Sequence, residues 1–121
     1  MKERPHKKLK VWQRSMELYV EIYRITRDFP REEIYGITSQ MRRAALSVPS
    51  NISEGAARRY PKEFMRHLSD AEGSLSELDT QLEAALRVHL IQESDHKGIQ
   101  SLIDEVAALL HGLIRSLESD V

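Results

Sequence analysis

Apolar residues return every three or four positions in four blocks along this chain, and each block predicts an amphipathic helix. Residues 9–28 carry two stripes. Leu9, Trp12, Met16, Tyr19, Tyr23 and Thr26 form one, and Val11, Leu18, Ile22, Ile25 and Phe29 lie about 110° away at 100° per residue. A bundle helix needs one such stripe. The second therefore predicts either burial against another subunit, through Val11, Leu18, Ile22 and Ile25, or unusually deep burial within one chain. Phe29-Pro30 ends the helix, and a turn is expected at Pro30-Arg31-Glu32-Glu33.

Thr38 is a candidate N-cap for the second helix. Its core positions are Ile37, Met41, Ala45, Val48 and Ile52, and its back carries Ser39, Leu46, Ser50, Ser53 and Ala57. Pro49 falls inside it, removing a backbone donor and clashing with the carbonyl four residues earlier, at about 3 kcal/mol. A kinked helix is the expectation, with Ser50 or Asn51 serving backbone groups near the bend and Gly55 admitting a close neighbour. The small back, with Leu46, Ser50 and Ser53, is a candidate subunit contact.

The third helix opens at Tyr60-Pro61, with proline where no helical donor is lost. Phe64, Leu68, Ala71, Leu75, Leu78, Leu82, Ala85 and His89 make a heptad seam, and Asp70, Glu72, Glu77, Asp79 and Glu83 make an acidic outer face. Ser94 or Asp95 is expected to cap the fourth helix, whose core reads Ile99, Leu102, Val106, Leu109, Leu113 and Leu117. Short connections between four such helices predict an all-α protein, an antiparallel up-and-down four-helix bundle. Residues 1–121 read as one domain, with 1–8 a basic, flexible amino-terminal arm.

Composition narrows the functional classes. The absence of cysteine removes disulfides, thiolate metal sites and cysteine nucleophiles. The longest apolar run, Val106 to Leu110, is far below the roughly 20 residues of a bilayer span, so no membrane partner is expected. No apolar segment follows the basic amino end as a secretion signal requires, and a cytoplasmic location is the default. Of the five histidines, only Glu93-Ser94-Asp95-His96 has the spacing of a di-iron helix motif, at a helix start rather than in a core. His89 and His111 read as structural, and His67 as a partner of Glu63 or Asp70 on its own helix. There is no nucleophile elbow, P-loop or dinucleotide fingerprint, so neither an enzyme, a metal nor a cofactor is expected.

Charge is the remaining signal. The net of −1 hides 15 Lys and Arg against 8 Asp and Glu in residues 1–66, and 3 against 11 in residues 67–121. A +7 half beside a −8 half suits either a polyanion partner or halves that attract each other, within the chain or across a subunit contact. Arg42, Arg43, Arg58, Arg59 and Lys62 are the candidate phosphate contacts, with Arg66 nearby and Lys7, Lys8, Lys10 and Arg14 adding charge at the amino end. Tyr60, among arginines, is a candidate for stacking on an unpaired base. Glu54 and Arg58, four residues apart, are expected to pair.

The run Gln40-Met41-Arg42-Arg43-Ala44-Ala45-Leu46-Ser47-Val48-Pro49-Ser50-Asn51-Ile52-Ser53-Glu54-Gly55 resembles the signature of the 23S rRNA intervening-sequence protein family of bacterial four-helix bundles. Glu63-Phe64, Gly73-Ser74-Leu75-Ser76-Glu77-Leu78, Tyr35-Gly36 and Leu9-x-x-Trp12-Gln13 fit it too. Ala57 and Tyr60 depart from the pattern, where a glycine and a capping serine are common. The resemblance implies an antiparallel bundle assembling as a ring-shaped homopentamer. Some members are encoded within insertions in large-subunit ribosomal RNA genes. A related branch, the accessory proteins of diversity-generating retroelements, is similar to basic pentamers that bind a reverse transcriptase and nucleic acid. The expectation is thus a non-enzymatic oligomer binding RNA or DNA, or alternatively a scaffold for a polymerase-type protein.

Overall fold

A computed structural model describes residues 4–120. Four helices follow in order: α1, Lys10–Thr26; α2, Ile37–Ala56; α3, Pro61–Arg87; and α4, Glu93–Glu118. Each packs on two neighbours, α1 and α3 both lying between α2 and α4. The pairings run antiparallel. Arg14 meets Glu105 while Arg24 meets Asp95, and Ser47 meets Ser74 while Asn51 meets His67. All four helices feed one core, so the bundle expected from the periodicity is what forms.

The helix rotations differ from expectation in two places. In α1 the two stripes exchange roles: Val11, Leu18, Ile22 and Ile25 are only 0–4% exposed within a single chain. They cannot contact another subunit, which corrects their assignment to an interface. The stripe holding Trp12, Met16, Tyr19 and Tyr23 is the partly exposed one. These side chains combine apolar bodies with flexible or polar ends and tolerate that position. In α4 the deepest residues are Ile99, Ile103, Val106 and Leu110, and Leu102, Leu109, Leu113 and Leu117 are half-buried. The expected set held Ile99 and Val106 of that centre, but missed Ile103 and Leu110 and took four residues from one edge instead.

Helix ends follow simple chemistry, though not always the residues expected. The turn at Pro30 forms, Glu33 N–H donating to the Pro30 carbonyl at 2.9 Å. Gly36, not Thr38, precedes α2, and Thr38 lies buried inside the first turn. Gln92, not Ser94 or Asp95, precedes α4. Pro61 does take the first position of α3. Residues Pro5–Lys8, expected as a flexible arm, form a 3₁₀ turn against α1 and α2. Gln13 Nε2 donates to the Lys7 carbonyl at 2.9 Å, and the His6 ring meets Trp12 edge-on at 5.2 Å. Residues 1–3 of the arm lie outside the described ones.

The end of α3 carries a strained residue. Leu90 N–H reaches the Ala85 carbonyl at 2.9 Å and His89 N–H the Leu86 carbonyl at 3.0 Å, the paired bonds of a Schellman cap. His89 therefore leaves the heptad seam, is exposed, and takes φ 64°, a left-handed position that favours glycine. Replacing His89→Gly is expected to raise stability by about 0.5–1 kcal/mol, the relief of that strain less the entropy glycine adds to the unfolded chain. An unchanged or lower urea midpoint in the variant would show that His89 makes a compensating contact.

Helix α2 passes unbroken through Pro49, which is itself buried. Its residues Ser47, Asn51 and Gly55 face α3. Asn51 Nδ2 donates to the Ser47 carbonyl at 3.0 Å and lies 3.1 Å from Ser47 Oγ, which shares a 2.8 Å hydrogen bond with Ser74. A Cβ on Gly55 would sit 2.7 Å from a Phe64 ring carbon and 2.8 Å from His67 Cβ, so here the two helices touch backbone to side chain. The conspicuous sequence run is largely the mating surface of α2 with α3.

Candidate nucleic-acid interface

At the carboxyl end of α2, Ala57 N–H still bonds Ser53, Arg58 N–H turns back to Gly55, and the chain then leaves the helix. Proline at 61 forces the preceding residue out of helical conformation. Tyr60 accordingly sits at φ −112°, ψ 140°, with its side chain 59% exposed. Arg58 and Arg59 precede it and Lys62 follows it, all exposed, and Arg66 lies one turn after Lys62 on the same helix face.

The 3₁₀ turn at Pro5–Lys8 packs against α2, which is antiparallel to α1, so Lys7, Lys8 and Lys10 share this end of the bundle. They are exposed as well. Seven cations thus share the end of the bundle that carries exposed Tyr60, and among the described residues none of the seven lies within ion-pair distance of a carboxylate. Glu54 does not pair with Arg58, contrary to expectation. Its Oε2 lies 3.7 Å from His67 Nδ1. Arg58 Nε instead donates to His67 Nε2 at 3.4 Å, and His67 Nδ1 lies 3.4 Å from Asn51 Oδ1. A neutral His67 with its proton on Nδ1 satisfies both contacts. Its expected partners, Glu63 and Asp70, are not used.

Arg42 and Arg43 lie at the other end of the bundle. Sixteen residues at 1.5 Å each put Arg42 about 24 Å from Arg58 along α2, so the expected basic cluster is two clusters. Arg42 turns inward, its Nε donating to Thr26 Oγ1 at 2.8 Å and its guanidinium stacking 3.9 Å from the centre of the Tyr23 ring. It lines a cleft with Arg27 and Arg31, two arginines the sequence pattern did not single out. Arg43 is exposed and shares a small polar cleft with Tyr35, Ser39, Gln40, Glu77 and Gln81. Of the candidate subunit contacts on α2, Leu46 is 43% exposed, Ser50 is exposed and Ser53 is half-buried.

The opposed charges of the two halves meet at α1 and α4. Arg14 bonds Glu17 on its own helix and Glu105 on α4, and these carboxylates hold its pKa above the ordinary arginine value. Arg24 is held up likewise by Glu21 and by Asp95 of α4. Within the acidic half, the Arg87 guanidinium lowers the pKa of Glu83. Glu83 Oε1 also lies 3.4 Å from His96 Nε2, so the Glu-x-x-His spacing at Glu93 brings no second carboxylate cluster with it. Among the described residues no group of acids and histidines is placed to hold a metal ion, and no helix is long and apolar enough to cross a membrane.

No curated protein matches the chain. A solved structure from Bacteroides thetaiotaomicron, described as a protein with unknown function from the S23 ribosomal protein family, superimposes with a TM-score of 0.80. It is 24% identical, and the likeness covers 87% of this chain and 95% of that one, which establishes a shared fold. The profile of the 23S rRNA-intervening sequence proteins matches residues 7–112, and the chain carrying this bundle and its α2–α3 seam belongs to that family.

Proposed function

We propose that this chain is a non-enzymatic, homo-oligomeric protein that binds RNA or other nucleic acid through the basic end of its bundle. The observation that carries the reading is the set of exposed cations with no carboxylate partner among the described residues, Lys7, Lys8, Lys10, Arg58, Arg59, Lys62 and Arg66, at the same end as exposed Tyr60. Cations that neutralise no carboxylate among the described residues can displace counterions from phosphates. An aromatic ring among them stacks on any unpaired base. Arg42 and Arg43, at the far end, drop out of this surface.

Fluorescence anisotropy with a labelled single-stranded RNA tests the proposal. Engagement of five to seven phosphates, at about −0.7 each on single strands, gives a slope of about −3.5 to −5 in log K against log salt. No saturable binding at low ionic strength, or a flat salt dependence, would overturn it. The resemblance favours five copies of the 14.0 kDa chain, and light scattering on the same sample is expected to read five times that mass. A monomer would defeat the oligomeric part alone.

A protein-binding scaffold, such as an accessory subunit of a polymerase, is the second reading. It rests on the groove between α1 and α4, about 610 Å³, floored by Met16, Val20 and Leu102 and rimmed by the Arg14–Glu105 pair. A stoichiometric protein partner recovered from the native host without RNA favours it.

A further inference from the structure

Arg42 is half-buried, carries a full positive charge, and has no carboxylate within ion-pair distance among the described residues. Such a group is costly to hold unless an anion completes it. Its fork is already oriented. Thr26 Oγ1 takes the Nε hydrogen and Tyr23 fixes the guanidinium plane, while the two terminal nitrogens make no hydrogen bond within the described chain. The cleft it lines, about 360 Å³, is shared by Arg27, Arg31 and Thr38, with Phe29, Pro30 and Ile34 as apolar wall. Asp28, Glu32 and Glu33 are neighbours in sequence but do not line it. Thr38, 5% exposed overall, contributes to its lining as well.

Three arginines, a threonine and no acid among its lining residues make a receptor for a compact, highly charged anion. Arginine forks match the paired oxygens of a phosphate. The apolar wall gives the site more than inorganic phosphate needs, and its volume falls at the small end of ligand pockets. We propose that this cleft binds a phosphomonoester group carried on a small organic body, either a free nucleoside monophosphate or the 5′-phosphorylated end of a nucleic-acid chain. Arg42, Arg27 and Arg31 hold the phosphate, Thr38 donates to one of its oxygens, and Phe29, Pro30 and Ile34 cover the body. The site lies about 24 Å from the basic end and does not depend on RNA binding there.

Calorimetry at low ionic strength tests it with adenosine 5′-monophosphate, adenosine, and a short oligouridylate bearing either a 5′-phosphate or a 5′-hydroxyl. The monophosphate, the 5′-phosphorylated oligomer, or both are expected to bind at least about tenfold more tightly than the phosphate-free counterpart, as loss of charge-assisted hydrogen bonds requires. Which of the two binds identifies the carrier. The double variant Arg27→Gln with Arg31→Gln, both at exposed positions and safe for folding, is expected to weaken that binding at least about tenfold. Arg58→Gln with Arg59→Gln is expected to leave the phosphate-dependent difference unchanged. The inference is overturned if neither phosphorylated probe outbinds its phosphate-free form, or if the Arg27 and Arg31 double variant binds as the wild type does.

Discussion

Gly55→Ala is expected to destabilise the bundle by about 1–3 kcal/mol, while Gly73→Ala in the next helix stabilises it by roughly 1 kcal/mol. Both substitutions replace the poorest non-proline helix former with the best one, so their intrinsic terms favour alanine equally. Their surroundings differ. The new methyl at 55 would meet Phe64 at 2.7 Å, His67 Cβ at 2.8 Å and the Phe64 carbonyl at 3.2 Å, whereas nothing lies within 4 Å of one at 73. Phe64 can rotate, but His67 Cβ is fixed to the backbone, so α3 itself must retreat. That movement would also strain the Ser47–Ser74 and Asn51–His67 contacts along the same seam. Urea midpoints for the two variants check the prediction. A gain at Gly55 equal to that at Gly73 would show that α2 and α3 separate at no cost.

Reversing the charge at the basic end, with Arg58→Glu, Arg59→Glu and Lys62→Glu together, is expected to lower RNA affinity at low salt on the order of a hundredfold or more. Three attractions to phosphate become repulsions, and the salt slope should fall by about two units on single-stranded RNA. Folding should be little affected, because all three side chains are exposed and only Arg58 makes a side-chain hydrogen bond, to His67. Lys97→Glu, exposed near the start of α4 at the opposite end, serves as the control and should change affinity less than about threefold. Equal losses in the two variants would mean that only net charge matters and that the basic end is no site. Circular dichroism and a melting curve separate lost binding from lost fold.

Much of the candidate site was visible in the sequence as residue types, and much less as a place. Arg58, Arg59, Tyr60 and Lys62 are close in sequence, and a proline after Tyr60 favours an extended backbone there. Lys7, Lys8 and Lys10 join them only because α1 and α2 are antiparallel, so that residues some fifty positions apart share one end. Arg42 and Arg43 left the cluster for an equally plain reason. A helix advances 1.5 Å per residue, and one helix cannot hold both of its ends in one patch. The cleft around Arg42 was harder to foresee. Arg27 and Arg31 lie at the end of one helix and in the following connector, and only the turn at Pro30 folds them back toward α2.

Local chemistry determined the four helices, the proline-initiated start of α3, the turn at Pro30 and the close approach at Gly55. Each follows from periodicity or from a residue with few allowed conformations, and so can be read within a few positions. Periodicity fixes the angle between two stripes on a helix but not which stripe faces inward. That choice is settled by the summed burial of all four helices at once. It put Val11, Leu18, Ile22 and Ile25 in the core, left Trp12, Tyr19 and Tyr23 at its edge, and moved the centre of α4 to Ile103 and Leu110. Charge followed the same division. The sequence shows a basic half and an acidic half, but only the packed bundle decides that Arg14 and Arg24 pair with α4 while the cations at the Tyr60 end find no carboxylate among the described residues. Pairing depends on distances of a few ångströms between residues dozens of positions apart, and those distances exist only once the helices have packed.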